Sequence, residues 1–135
     1  MTLDDALARY PGAETFRFGD GPEVSAKLIA LVRSGQKTAT CGALRDFEQE
    51  PMPMPGRQDI CLNWDGTPAL VIETVDVTEC RFRDVDEDFA LAEGENDSRD
   101  GWAEDHRRFF ERTGGWDPDM TLICERFRLV EDFGS

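Results

Sequence analysis

Apolar positions along the chain follow two rhythms, one helical and one extended. Leu28, Leu31 and Val32 recur at helical spacing within Gly21–Gly35, where Pro22 suits a first turn, Glu23 the positive end of the dipole and Gly35 the stop. Trp102, His106, Phe109 and Phe110 share one face of a second helix, capped by Ser98, with Asp100 in its first turn and closed by Gly114-Gly115. Two shorter helices are predicted. One runs from Leu3 to Tyr10 and is stopped by Pro11-Gly12; the other runs from Asp84 to Ala92, with Val85, Phe89 and Ala92 inward.

The extended rhythm lies between these helices. Asp59–Trp64 leads through Asp65-Gly66, a pair suited to a type I′ turn, into Thr67–Val77, and the strand pattern persists towards Phe82. Thr38–Leu44 and Met120–Val130 read as further strands. Arg45–Gly56 reads as a loop, because the alternating prolines of Pro51-Met52-Pro53-Met54-Pro55 forbid both helix and central strand. Strands and helices interleave, which predicts an α+β fold around a small mixed barrel. The 135 residues suit one domain, 1–135, with 1–21 as a lead-in.

Composition changes the picture in three places. The chain carries 15 basic and 29 acidic residues, a net charge of −14, which disfavours non-specific nucleic-acid binding and suits a small substrate. A local basic patch from Arg107, Arg108, Arg126 and Arg128 would be needed for RNA. Cys41, Cys61, Cys80 and Cys124 are widely spaced and accompanied by a single histidine, so no zinc site is read and four reduced thiols are expected. The longest apolar run, Leu28–Val32, is too short to span a membrane, and the first residues lack the basic head and apolar core of a secretory leader. The expected location is the cytoplasm, with no cofactor.

Candidate chemistry gathers at two places. Lys37 and Thr40 bracket the junction between a helix and a strand. Their odd offset puts them on opposite faces unless Lys37 belongs to the turn after Gly35. A lysine in an apolar pocket can act as a base and a neighbouring threonine as a nucleophile. The loop Glu93-Gly94-Glu95-Asn96-Asp97 supplies carboxylates for proton transfer or for a cation, although it matches no calcium-loop spacing. His106 reads as a core histidine or a catalytic one, and Trp102, Phe109 and Phe110 as core or as a stacking platform. Cys41 is a rival nucleophile with no histidine near it in sequence.

These residues, taken in order, resemble ASCH domains of the longer bacterial branch. Gly35-Gln36-Lys37-Thr38-Ala39-Thr40 is similar to the family's Gly-x-Lys-x-x-Thr signature. Phe18-Gly19-Asp20, the stretch Phe82–Ala90, Trp102, His106, Phe109-Phe110 and Met120–Val130 follow the same pattern over nearly the whole chain. The resemblance implies a PUA-like β-barrel with flanking helices and a cleft beside the helix that precedes the signature. ASCH domains are regarded as RNA-binding modules, and members are associated with N4-acetylcytidine hydrolysis or single-stranded RNA cleavage.

The family's proposed lysine, threonine and glutamate fall on Lys37, Thr40 and Glu95, because Ala92-Glu93-Gly94-Glu95-Asn96 is similar to Ala-Glu-x-Glu-Asn; Glu93 is the fallback. Gly35, Glu93, Asn96, Trp102 and His106 are the implied substrate contacts, and no metal is implied. The expected activity is a small-molecule amidohydrolase acting on an acylated nucleoside. The alternative is an RNA- or nucleotide-binding module with single-stranded ribonuclease activity. The implied partner is accordingly a nucleoside or nucleotide, with RNA under the alternative and no membrane. Two features depart from the pattern. The amidohydrolase members are shorter and lack much of the lead-in and the Pro-Met loop, and Tyr10 is the only tyrosine available for the ribonuclease set.

Overall fold

Ala69-Leu70-Val71-Ile72 is apolar without alternation, as expected of a strand covered on both faces. In the computed structural model, which describes residues 1–134, this run sits in β4 (Pro68–Arg81) near the middle of a curled five-stranded sheet. Its other strands are β1 (Glu14–Phe16), β2 (Ala39–Ala43), β3 (Gln58–Leu62) and β5 (Thr121–Asp132), in the order β1-β3-β4-β5-β2. The β1–β3 pair is parallel and the other three are antiparallel, so the sheet is mixed and curls into a half-barrel with β1 and β2 at its edges. Two register shifts in the long β4–β5 pair, at Val71/Ile72 and Thr74/Asp76, supply local bends.

Helices cover both faces of the sheet. α1 (Leu3–Arg9) starts with a capping box between Thr2 and Asp5 and buries Ala6 against Ile60, Leu62 and Val71. α2 (Pro22–Arg33) buries Leu28, Ile29 and Val32 against Leu70, Ile72 and Phe127. Leu70 and Ile72 therefore face α2 while Val71 faces α1, which explains the unbroken apolar run. A third core joins β2 and β5 to α3 (Glu87–Ala92) and α4 (Arg99–Arg112), with Phe82, Trp102, Phe110 and Leu122 at its centre. Trp102 and Phe110 are almost wholly buried, and truncating either would cost about 3–5 kcal/mol.

The predicted elements are present with small shifts of boundary, the stretch read as a loop from Arg45 opens with a short 3-10 helix, Leu44–Glu48, and two further local readings need correction. The hairpin turn is not type I′: Gly66 has a φ of +92°, whereas Asp65, like every described residue other than glycine, keeps a negative φ. The Asp65 carboxylate accepts hydrogen bonds from the Thr67 backbone nitrogen and hydroxyl, and the Gly66 nitrogen donates to the Asn63 carbonyl. The loop is thus a longer turn that needs only one left-handed residue. The lead-in also holds a strand, β1, which three residues could not announce by alternation. Among the described residues no helix is long and apolar enough to cross a membrane.

Candidate functional site

α2 ends at Arg33, and the chain turns through Gly35 so that the Gln36 and Lys37 backbone nitrogens both donate to the Leu31 carbonyl. Lys37 lies in this turn, outside β2, and its side chain folds inward until the residue is only 2% exposed. The acidic loop after α3 closes over it. Gly94 makes that approach possible: it sits at a φ of +82°, and a Cβ there would lie 2.7 Å from the Gln36 carbonyl oxygen and 2.9 Å from the Lys37 nitrogen. The Thr38 nitrogen donating to the Ala92 carbonyl at 2.8 Å fastens the two segments together.

Glu93 is the hub of the resulting cluster. Its Oε1 lies 3.4 Å from Lys37 Nζ, and its Oε2 accepts from Trp102 Nε1 at 2.5 Å, lies 3.3 Å from His106 Nε2 and faces Cys41 Sγ at 3.4 Å. Burial by itself would raise the Glu93 carboxyl pKa, but the Lys37 charge and the hydrogen bonds from His106 and Trp102 outweigh it and hold the value at about 2. Burial pulls the His106 pKa down, and the hydrogen bond and charge of Glu93 overcome that and raise it. His106 Nδ1 meets the Trp102 carbonyl at 2.9 Å, so both ring nitrogens face acceptors, the arrangement an imidazolium satisfies. Lys37 Nζ donates to the Ala39 carbonyl at 2.9 Å, to the Glu93 carbonyl at 3.3 Å and to Glu93 Oε1: three acceptors for the three hydrogens of an ammonium. The Cys41 thiol pKa is pushed well up by burial and by the neighbouring Glu93 charge, which keeps it protonated and a poor nucleophile.

A cavity of about 350 Å³ opens on this cluster, lined by Lys37, Thr40, Glu93, Glu95, His106 and Phe109 among others. Glu95 Oε2 lies 3.9 Å from Lys37 Nζ with its side chain 22% exposed, so it faces the cavity more openly than Glu93, whose side chain is 2% exposed. Of the residues singled out in sequence, Lys37, Thr40, Glu93, Glu95 and His106 converge here. Trp102 lies behind the wall and reaches the site through its hydrogen bond to Glu93 and its stacking on His106. Gly35 is exposed and shapes the end of α2. Asn96 lies outside the cavity, its buried amide nitrogen without a partner.

Sequence reasoning missed the convergence of Cys41, Glu93, Trp102 and His106, whose contacts span up to 52 positions. The only available signal was that Glu93 lies one helix upstream of an aromatic-histidine face. Cys41, Glu93 and His106 bring donor atoms within 4.8 Å of one another, a set that suits a soft divalent cation. The Lys37 ammonium on the same carboxylate opposes a further positive charge.

A second cavity, of about 450 Å³, adjoins the first and shares Phe18, Thr40, Cys41 and Phe109 with it. Pro51 and Pro53 line it, and Arg57 ties their loop down by donating to the Met52 carbonyl at 2.9 Å. The Pro-Met loop therefore shapes the neighbouring cavity and leaves the Lys37 cavity open.

A family model described as an ASCH domain matches residues 14–131. The structure of an ASCH domain from Lactobacillus crispatus JV V101 is similar to this chain, with 32% identity and a TM-score of 0.82, over 94% of this chain and 85% of that one. A protein of Enterococcus faecalis V583 is similar with 34% identity and a TM-score of 0.84, over 96% of this chain and 85% of its own. No curated protein matches the sequence.

Proposed function

The chain belongs to the ASCH domain family, with its PUA-like fold, and on that footing we propose that it hydrolyses a small acylated amine of the N4-acetylcytidine type in the Lys37 cavity. One observation carries the reading: a buried lysine with Glu95 beside it opens on the cavity that Thr40 also lines. Such a site holds one positive charge, one proton carrier and one hydroxyl around a space that an amide carbonyl can enter.

The roles follow from the contacts. The three acceptors around Nζ suit a charged Lys37, which stabilises the oxyanion through its positive charge rather than a free hydrogen as the acyl carbon becomes tetrahedral. This replaces the role of base expected from sequence, because a lysine whose hydrogens are all engaged has no lone pair to offer. Glu95, with room to move, takes the Thr40 proton as the oxygen attacks the acyl carbon. The carbon–nitrogen bond breaks, and Glu95 passes the proton to the leaving amine. Water then cleaves the acyl-threonine ester and releases the acid. Glu93 is a positioning residue: its carboxylate is spent on Lys37, Trp102 and His106.

The test is turnover of N4-acetylcytidine to cytidine by the wild type and by Lys37→Ala, Thr40→Ala and Glu95→Gln. Each variant is expected to lose activity by about 10²–10⁴-fold. Wild-type protein without turnover, or full activity in Thr40→Ala, overturns the reading. The RNA-binding alternative needs free basic groups beside the cleft. Of the candidate arginines, Arg108 pairs with Glu104 and Arg107 with Glu111, and Arg126 lies over the Phe89 ring; Arg112 beside them pairs with Asp20.

A further inference from the structure

The second cavity has walls and a floor of different character. Phe16, Phe18 and Phe47 supply aromatic surface and Pro51 and Pro53 a rigid rim, a slot that suits a planar ring. Phe47 lies so close over Gly42 that even a Cβ there would come within 3.2 Å of the ring, so the slot has a flat base on β2. Two carboxylates reach into it from the sheet. Asp59 is 6% exposed and accepts from Arg57 Nε at 2.9 Å; Glu125 accepts from the Thr74 hydroxyl at 2.7 Å through one oxygen. Burial, with the Asp59 charge beside it, raises the Glu125 pKa. Five carboxylates in all face the cavity against two guanidiniums, Arg17 and Arg57, and Arg57 is already committed to Asp59 and the Met52 carbonyl.

The strand register joins this slot to the proposed reaction site. Thr40 on β2 is the direct partner of Glu125 on β5, and side chains of opposed residues project from the same face of a sheet. Thr40 lines both cavities, so a substrate whose acyl carbon lies at Thr40 has the Lys37 cavity on one side and the slot on the other.

We propose that the slot beneath the Pro-Met loop is the amine-side subsite, taking a planar, unphosphorylated heterocycle through its exocyclic amine, with Glu125 and Asp59 as the specificity-determining acceptors. This deepens the hydrolase reading and rests on it for the position of the acyl group. A ring bearing a carbonyl where the amine should be sets acceptor against acceptor, and a phosphate meets the surplus of carboxylates. The Pro-Met loop, present in this longer chain, supplies part of the slot and is the element that would set which ring fits.

Calorimetric titration with cytidine, uridine and cytidine 5′-monophosphate tests the subsite without turnover. Wild type is expected to bind cytidine about tenfold or more tightly than uridine, because at the ring position facing the carboxylates cytidine presents an amine donor and uridine a carbonyl acceptor. Cytidine 5′-monophosphate is expected to bind more weakly than cytidine. Glu125→Gln, which offers an amide donor in place of an acceptor, is expected to narrow the cytidine–uridine gap, an outcome that a merely structural role for Glu125 would not produce. Phe47→Ala, on the wall, is expected to weaken both ligands alike. Equal binding of cytidine and uridine, no binding of either, or an unchanged ratio in Glu125→Gln overturns the subsite. Discrimination in a protein without turnover would sink the hydrolase reading alone. Turnover with an unaltered KM in Glu125→Gln would sink the subsite alone.

Discussion

At the scale of single residues, the site is organised by the charge on Glu93. A buried carboxylate is costly unless other groups meet it, and here Lys37, His106 and Trp102 do so. The pH dependence of stability follows from the two shifts. Glu93 has its pKa lowered from 4.5 to about 2, so its contribution is present above about 4.5 and is lost as pH falls towards 2. His106 has its pKa raised from 6.5, so its contribution is complete below 6.5 and is lost as pH rises through the folded value. The pair therefore supports the fold best between about 4.5 and 6.5. Chemical denaturation across pH should show His106→Gln less stable than wild type inside that window, with the difference shrinking on the alkaline side. A difference that grows with pH would contradict an imidazolium at this position. Each of these residues was visible in the sequence as a candidate, but their mutual contacts were not. Lys37, Glu93 and His106 come together only because two loops and a helix meet.

At the scale of elements, the close approach of the acidic loop to the turn after α2 depends on Gly94. Any side chain there would have to move the Gln36 carbonyl and adopt a left-handed backbone, a conformation costing about 1–3 kcal/mol by itself. Gly94→Ala should therefore lower the unfolding free energy by at least that amount and, by pushing Glu93 and Glu95 off Lys37, abolish hydrolysis. Denaturant unfolding and the N4-acetylcytidine assay check the two halves separately. A stable, active Gly94→Ala protein would mean that the loop has freedom the geometry denies it. Helix boundaries at Pro22, Ser98 and Gly114-Gly115 were legible because caps and breakers act over three or four residues. The β1 strand and the hairpin turn were misread for the complementary reason. A three-residue parallel strand has no local signature, and the Asp65 carboxylate changes the turn by bonding Thr67, a choice the Asp-Gly pair does not reveal.

At the scale of the whole molecule, a net charge of −14 sets what can approach. Arginines that would form a basic strip on α4 are paired with acids on the same helix or across the cleft, as in Arg107–Glu111 and Arg112–Asp20. Binding to single-stranded RNA should accordingly be weak at physiological salt, with a shallow salt slope because few phosphates can be neutralised. A filter-binding series over salt concentration checks this, and tight, steeply salt-dependent binding would restore the RNA-reader interpretation.

The sequence by itself determined the α+β class, the interleaving of strands and helices, the covered faces of α2 and α4 and the residues able to do chemistry, because periodicity, capping and side-chain type are local properties. Only the tertiary structure decided that Glu93 is more deeply buried than Glu95, that burial and the Glu93 charge push the Cys41 thiol pKa up, that Lys37 is clasped by three acceptors and that the Pro-Met loop shapes a second cavity. Those outcomes depend on which buried groups share one small volume. That is fixed by how the sheet curls and by what packs against it, and spacing along the chain does not encode it.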